Sequence, residues 1–539
     1  MHPLSTYNLI DAPSICLYPV LCEQVTRTVF AEQVWLWKRK SMSDKFIICL
    51  FLFIGLASAA CAGKVKDATA VNSVEVRVDA GDIKGDISTL LTGVNIAYYY
   101  DTDQLWADGK IAGYLRDVKA GILRYPGGVE TSKLHWETPY NHWRTDFWDP
   151  NVEPNTPTTA YMDTDDYIRQ CRAIGAEPLI GVNLQSGKKY NRIADSIAEA
   201  ARWVKYCKDK NYNVRYWYLG NEPFYAFNSQ AMTVAEYAGY IGQFVPAMRA
   251  VDPNIKIIAN WNEKLSEPNY RAQWKYLLEQ AGQYIDIADV HWYWDNGLAK
   301  WSNWITENPM ISRLWCDDCS GPDKRYHGPT YVEEIRRFRS ELKDINGLSH
   351  EIKLAALEWN VGKNWPEPIP LPFQCALMQA EMLGQFIEGG LDMACMWPLT
   401  WDWTNWPIMF RGILDTEKHQ PAPGFYVFKL YSNVLGQQLV TSKTNQLYVR
   451  PVSALSRDGN TLWVYLLNKS ADGEAVDAEL NVSRFAPKKA EAVILTAPDL
   501  SSDIGKLDEI AVGINPATGK WQTILPPYSL TMLTFHKDN

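Results

Sequence analysis

Residues 216–223 read Tyr216-Trp217-Tyr218-Leu219-Gly220-Asn221-Glu222-Pro223, and residues 353–360 read Lys353-Leu354-Ala355-Ala356-Leu357-Glu358-Trp359-Asn360. Each is an apolar run of strand length that ends on a carboxylate. The sequence around them repeats the apolar run without the carboxylate. Candidate strands lie at 91–96, 121–125, 178–183, 215–220, 255–260, 287–291, 353–357 and 392–397. Between them the apolar residues follow helical spacing, as in Ile193, Ile197, Ala201, Val204 and Cys207, and again over 234–251, 270–281, 332–342 and 376–387. Eight strand–helix alternations predict an α/β protein, a (β/α)8 TIM barrel over 91–435 whose last helix spans 425–435.

After Gly436 the texture changes to short strand-like runs at 447–451, 461–467, 478–482, 490–495 and 529–535, split by turn residues such as Asp458-Gly459-Asn460. This predicts a C-terminal all-β sandwich over 436–539. The alternating run 74–78, within a segment over 63–90, is expected to join it as a strand. Residues 1–62 read as a leader. Met42-Ser43-Asp44-Lys45 precedes the apolar run 46–60, which ends on small residues, the pattern of a signal peptide whose true start would be Met42. The run is short for a membrane span. Cleavage before Cys61 would give a lipid anchor there, and ordinary cleavage a free protein. Either way the chain is expected to be exported, to the periplasm, the cell surface or the medium. Cys316-Asp-Asp-Cys319 has no second close cysteine pair to complete a zinc site, so a local disulfide is the expectation.

Of 539 residues, 53 are Lys or Arg and 62 are Asp or Glu, a formal charge of -9 that offers no basic surface to a nucleic acid. The 23 Trp and 29 Tyr suit either a large aromatic core or the stacking of sugar rings. No phosphate-cradling glycine loop, nucleophile elbow or metal-ligand cluster is present in the pattern, so neither metal nor cofactor is expected. Gly127-Gly128 reads as a tight turn after the second strand.

Barrel active sites lie where the strands end. Glu222 at strand four and Glu358 at strand seven would therefore face one cleft. Two facing carboxylates are what glycosidic cleavage requires: one protonates the leaving oxygen and the other attacks or stabilises the oxocarbenium-like centre. Arg124, ending strand two, could keep Glu358 ionised. His291 and Tyr293 alternate after strand six and could both reach the cleft. Trp397 ends strand eight, and Trp136, Trp401, Trp403 and Trp406 are further aromatic candidates.

Asn221-Glu222-Pro223 resembles the strand-four signature of the clan A retaining glycoside hydrolases. Several segments are similar to glycoside hydrolase family 51, the arabinofuranosidase family: Arg124-Tyr125-Pro126-Gly127-Gly128 with Trp136, the run Val214 to Glu222, Glu358-Trp359-Asn360-Val361, Tyr426-Val427-Phe428-Lys429-Leu430-Tyr431 and Pro526-Pro527-Tyr528-Ser529. The resemblance covers about residues 91–539. It implies Glu222 as general acid/base, Glu358 as nucleophile, Asn221 on the sugar 2-hydroxyl, Tyr293 orienting the nucleophile, and Trp397 and Trp136 against the sugar, with Arg124 and His291 in the same site. It implies a carbohydrate as the partner. Where many relatives carry a Glu-His pair after strand one, this chain has Ala97-Tyr98-Tyr99-Tyr100-Asp101. The substrate therefore stays open between an arabinofuranoside and the substrate of an endo-acting glycanase (glucanase, galactanase or agarase). A non-catalytic sugar binder is the third reading, which two intact carboxylates disfavour. Nothing in the sequence sets the oligomeric state.

Overall fold

Eight of the apolar runs form parallel strands, and parallel neighbours require long crossovers, which the intervening helices supply. The strands are β2 (Gly93–Asn95), β3 (Ile122–Tyr125), β4 (Glu177–Val182), β5 (Tyr216–Leu219), β6 (Lys256–Asn260), β7 (Ile287–Trp294), β8 (Lys353–Val361) and β9 (Met393–Met396). They close into a barrel through the pairing of Gly93 with Cys395 and Val94 with Met396. The structure is a computed structural model and describes residues 72–98, 101–138, 146–151, 162–225, 231–262, 268–294, 330–345, 348–361, 371–400, 412–415, 419–446, 448–470 and 474–537. The leader with Met42 and Cys61, the pair Cys316 and Cys319, and Trp401, Trp403 and Trp406 lie outside the described residues.

Strand side chains alternate between two destinations, as the pleat dictates. Ile122, Leu179, Tyr218, Ile258, Ile287, Ala355 and Met393 fill the barrel lumen. Their neighbours Leu123, Ile180, Trp217, Ile257, Ala288, Ala356 and Ala394 face out into the core shared with the helices. Helix ends are fixed locally: Thr233 with Glu236, and Thr330 with Glu333, form capping boxes at the starts of the helices Val234–Val251 and Tyr331–Lys343. No helix among the described residues is long and apolar enough to cross a membrane.

The remaining strands make one ten-stranded mixed sheet. β1 (Asn72–Asp86) runs antiparallel to β10 (Gln438–Thr444) and parallel to β13 (Val476–Ser483). The other members are β11 (Val449–Leu455), β12 (Thr461–Asn468), β14 (Lys489–Thr496), β15 (Lys506–Ile510), β16 (Gly513–Ile514), β17 (Trp521–Leu525) and β18 (Ser529–His536). The order is β15-β14-β18-β12-β11-β10-β1-β13-β17-β16. The sheet curls on itself, because Val74, Val76 and Val78 of β1 share one core with Leu462, Val464 and Leu466 of β12 and Leu533 and Phe535 of β18.

The helix Pro372–Gly389 is buried along nearly its whole length, since it packs on barrel strand β8 and on β11, β12 and β18 of the sheet. Three ion pairs among the described residues cross this contact, the longest from Arg450 Nε to Glu381 Oε1 at 3.9 Å. Lys469 Nζ lies 2.6 Å from Glu381 Oε2 with both side chains fully buried, and Arg450 Nη2 lies 2.5 Å from Glu388 Oε2. Burial pushes the Lys469 ammonium down to about 8, against the pull of Glu381.

Candidate active site

The two sequence-predicted carboxylates meet because β8 carries one extra residue. Along β7, Asp289 pairs with Ala355 and His291 with Glu358; along β9, Ala356 pairs with Ala394 and Trp359 with Met396. Three β8 residues thus oppose two on each side, a bulge. Ala355 and Leu357 point into the lumen, Glu358 also turns inward, and Trp359 returns outward between the rings of Phe386 and Phe428. The expectation that Glu358 sits just past its strand needs correction. β8 continues to Val361, and the bulge, not a strand end, aims the carboxylate. β7 likewise runs on to Trp294, past the predicted end at His291, so His291 and Tyr293 are successive inward residues of one strand.

Arg124, fully buried at the inward face of β3, organises the floor. Its Nη1 donates to Glu358 Oε1 at 2.7 Å and to Asn95 Oδ1 at 2.8 Å, and its Nη2 donates to Asn221 Oδ1 at 2.6 Å. The guanidinium lies over the Tyr218 ring, 4.3 Å from its centroid. That ring has room because position 181 is glycine: a Cβ there would stand 2.1 Å from Tyr218 Cζ. Tyr218 OH is held in turn by Thr131 Oγ1 at 2.5 Å.

Glu358 is buried, which alone would raise its carboxyl. The charges of His291 and Arg124, with hydrogen bonds from Arg124 and from Tyr293 OH to Oε2 at 2.9 Å, outweigh burial and hold it below the usual range. His291 is also fully buried, yet the carboxylates of Glu358 and Asp289 and its contact with Glu222 push it up to about 10. Its Nδ1 stands 3.0 Å from Glu222 Oε1 and 3.4 Å from Glu358 Oε2. Its Nε2 faces Asp289 Oδ2 at 3.2 Å, a charge contact without hydrogen-bond alignment. One ligand-type atom from each of Glu222, His291 and Glu358 lies within 4.8 Å of the others, with the imidazole set between the two carboxyl groups.

Glu222 follows β5 with φ +44°, a left-handed backbone uncommon outside glycine. Both polar atoms of the peptide before it are gripped by side chains. Asn221 O accepts from Gln185 Nε2 at 2.6 Å, and Glu222 N donates to Asn260 Oδ1 at 2.9 Å.

The sequence-predicted residues Arg124, Asn221, His291 and Tyr293 therefore gather with the two glutamates. Trp397 is adjacent: its ring lies on Gly128 and Gly127, where a Cβ would come within 2.7 and 3.2 Å of the indole. Both glycines also have positive φ, so the turn after β3 needs glycine for its backbone and for the tryptophan. Trp136 does not join them. It stacks on Trp203 at 5.6 Å, and its Nε1 donates to Glu199 O, both on the helix Ile193–Asp209. The chain beyond the short helix Gly128–Ser132 has turned onto the outer helices, where a large apolar ring finds a packing partner. Asn95, Gln185, Tyr218, Asn260 and Asp289 were not anticipated. All but Gln185 sit at the inward phase of apolar strands, and a polar residue there is a detectable signal, since it must find a partner across the lumen.

A second buried histidine carries the same electrostatic signature away from the glutamates. Burial opposes its charge, but Asp146 and Glu199 flank His135 and push it up to about 9. Both histidines hold a proton more tightly in the folded chain. Their stabilisation is full below the unfolded value, about 6.5, and is lost as pH rises toward the folded values. Asp101, pushed up to about 7 by burial, acts in the same direction, and Lys469 opposes it only above about 8. Chemical denaturation should therefore show stability falling between about pH 6.5 and about pH 8. His135→Gln should flatten that slope; an unchanged slope would show that His135 is not held protonated.

A family model described as "Alpha-L-arabinofuranosidase 1 domain" matches residues 114–304. Alpha-L-arabinofuranosidase C of Emericella nidulans is 27% identical over 210 residues, 33% of this chain and 38% of that protein. An intracellular exo-alpha-(1->5)-L-arabinofuranosidase of Acetivibrio thermocellus is 24% identical over 269 residues, 46% of this chain and 47% of that protein. The chain thus matches less than half the length of these curated relatives. Among solved structures, the GH51 alpha-L-arabinofuranosidase of Thermotoga petrophila superposes with a TM-score of 0.61 at 20% identity, over 86% of this chain and 100% of that one. A family 51 alpha-L-arabinofuranosidase of Bifidobacterium longum gives 0.64 at 16%, over 87% and 100%. At these identities the superpositions speak for the fold. The arabinofuranosidase-domain match and the curated relatives add a likeness in sequence over part of the chain, so it resembles the GH51 arabinofuranosidases in fold and, over that part, in sequence.

Proposed function

We propose that the chain is an exported, α-L-arabinofuranosidase-like hydrolase of plant or algal polysaccharide or oligosaccharide, acting by retaining double displacement. The observation that carries this reading is the facing pair Glu222 and Glu358, with an oxygen of each inside a 4.8 Å cluster. Retaining enzymes hold their carboxyls about 5–5.5 Å apart, while inverting ones leave about 6.5–9.5 Å for a water. Arg124, His291 and Tyr293 favour an ionised Glu358, the state a nucleophile needs. Glu222, partly exposed just past the end of β5, takes the role of the acid.

In the first step Glu358 attacks the anomeric carbon as Glu222 gives its proton to the departing oxygen, leaving a glycosyl ester on Glu358. In the second, water gives a proton to Glu222 and attacks the same carbon, freeing Glu358. Arg124 fixes the Asn221 amide by taking its oxygen, so the NH2 is the end offered to a sugar hydroxyl. Trp397 supplies an aromatic face. The arabinofuranosyl preference is supported by the curated relatives' names, and export by the apolar run 46–60.

The test is Glu222→Ala. A dinitrophenyl α-L-arabinofuranoside needs no proton to leave, so the variant should still be glycosylated in a rapid burst and then stall. Azide should release it as a glycosyl azide of retained configuration, read by NMR. Inverted configuration would reverse the two roles. Sequencing the N-terminus of natively expressed protein checks export: a mature end near residues 60–63 supports it, and an intact Met1 in the cytoplasm contradicts it.

A further inference from the structure

Below the reacting groups, one buried side chain touches the supports of both glutamates. Asp289 is an inward residue of β7, with no solvent exposure. Its Oδ1 accepts the N–H of Leu357, the bulged residue of β8, at 2.8 Å. Its Oδ2 accepts from Asn260 Nδ2 at 2.9 Å and faces His291 Nε2 at 3.2 Å. Each contact leads to a different part of the chemistry. A bulge leaves a backbone N–H without its ladder partner, and here Asp289 takes it while Asn95 Nδ2 donates to the Leu357 carbonyl at 2.9 Å. The next residue is Glu358. Asn260, oriented by Asp289 at its amide nitrogen, uses its oxygen to hold the N–H of Glu222. His291 stands between the two carboxylates.

We propose that Asp289 is the positioning residue that sets the two glutamates at a fixed spacing, by capping the β8 bulge, orienting Asn260 and anchoring His291. This deepens the proposed retaining hydrolysis and rests on that reading. The role follows from the donors that meet at this place. Two separate donors, Leu357 N–H and Asn260 NH2, converge on it, so both of its oxygens must accept. The groups around His291 are Glu222 from the end of β5, Glu358 from β8, and Asp289 and Tyr293 from its own strand, with Arg124 from β3 behind Glu358. Asp289 is the negative group on the side of the imidazole away from substrate, so its charge stays when Glu358 is esterified and loses its own. The glycosyl-enzyme would then keep His291 protonated, and the second step would meet the same hydrogen-bond frame as the first.

The experiment compares Asp289→Asn with the exchange variant Asp289→Asn/Asn260→Asp in the full chain. In the single variant, the amide at 289 can still accept from Leu357, but its NH2 meets the NH2 of Asn260, and the anion beside His291 is gone. In the exchange variant the 289 amide donates to the carboxylate now at position 260, whose other oxygen still accepts from Glu222 N. The side-chain bond between positions 289 and 260 and the hold on Glu222 N are restored, the longer 3.3 Å bond from position 260 to the carbonyl of residue 289 is lost, and the charge has moved to position 260. On 4-nitrophenyl α-L-arabinofuranoside, Asp289→Asn should lose about 10²-fold in kcat, the order expected from misplacing a reacting group by about an ångström, with KM little changed. The exchange variant should recover most of it. In both variants the midpoint of His291, followed by its imidazole 15N shift and assigned by its loss in His291→Gln, should fall by about one pH unit or more. A residue that merely stabilised the barrel would lower the melting temperature and leave kcat per folded molecule and the His291 midpoint as they were; that result overturns the proposal. So does a failure of the exchange variant to regain activity while folded. If the unaltered protein hydrolyses no arabinofuranoside, the functional reading fails, and the 15N titration, which needs no substrate, still decides for or against the anchoring of His291.

Discussion

Glu358→Ala is expected to lose at least about 10⁴-fold in kcat, the order seen when the nucleophile of a covalent mechanism is removed. Binding should survive, because Arg124 and Trp397 keep their other partners. The loss exceeds that for Glu222→Ala on activated substrates, since a good leaving group bypasses the acid but no substrate bypasses the nucleophile. The vacated space lies beside Arg124 Nη1, Tyr293 OH and His291 Nδ1, three donors that suit a small anion. Azide placed there should attack the anomeric carbon directly and give a glycosyl azide of inverted configuration, the opposite outcome to Glu222→Ala. Near-normal turnover without azide would remove Glu358 from the mechanism.

Lys469→Met should be the most destabilising single change at the contact between barrel and sheet. It leaves Glu381 fully buried without its nearest cation, with the Arg450 Nε at 3.9 Å and the Gln385 amide at 3.4 Å among its remaining partners. Removing one partner of a buried ion pair costs about 3–5 kcal/mol, because the surviving charge keeps its desolvation penalty without its counter-ion. Removing both is far milder. Glu381→Leu combined with Lys469→Met should restore most of the lost stability in equilibrium denaturation. If the double variant is as unstable as the single one, the site depends on the shape of the lysine side chain and not on charge.

The sequence disclosed much of this molecule and withheld one particular step. All eight barrel strands were legible because their apolar runs are continuous and separated by helical periodicity, and the two glutamates stood out against those runs. The bulge was not. Simple alternation through Leu354, Ala355, Ala356, Leu357 and Glu358 would put Glu358 on the outer face with Ala356, and no residue in the run announces the inserted position. It is set by partners far away in sequence, Asp289 and Asn95, which stabilise the two backbone atoms of Leu357. The same dependence hid Asn260 and Gln185, whose work is to hold backbone. In the sheet, β10, β15, β16 and β17 escaped notice for a different reason. They are short or polar, and β15 and β16 lie at its two edges, so little apolar patterning is imposed on them. Trp136 was misplaced because an aromatic residue following a barrel strand has the same local appearance whether it meets sugar or another tryptophan.

The place of β1 in the sheet has a consequence for how the chain matures. Val76 pairs with Thr444 on one side and Leu480 on the other, so the first described strand has no neighbour until the whole barrel has been made. At about 5–20 residues per second, synthesis leaves it waiting roughly 20–70 seconds with both edges open. An unpaired strand carrying Val74, Val76 and Val78 is a template for association with other chains. Its alternating Glu75, Arg77 and Asp79 then act as gatekeepers during that interval, well before they serve as the solvent face of a finished sheet.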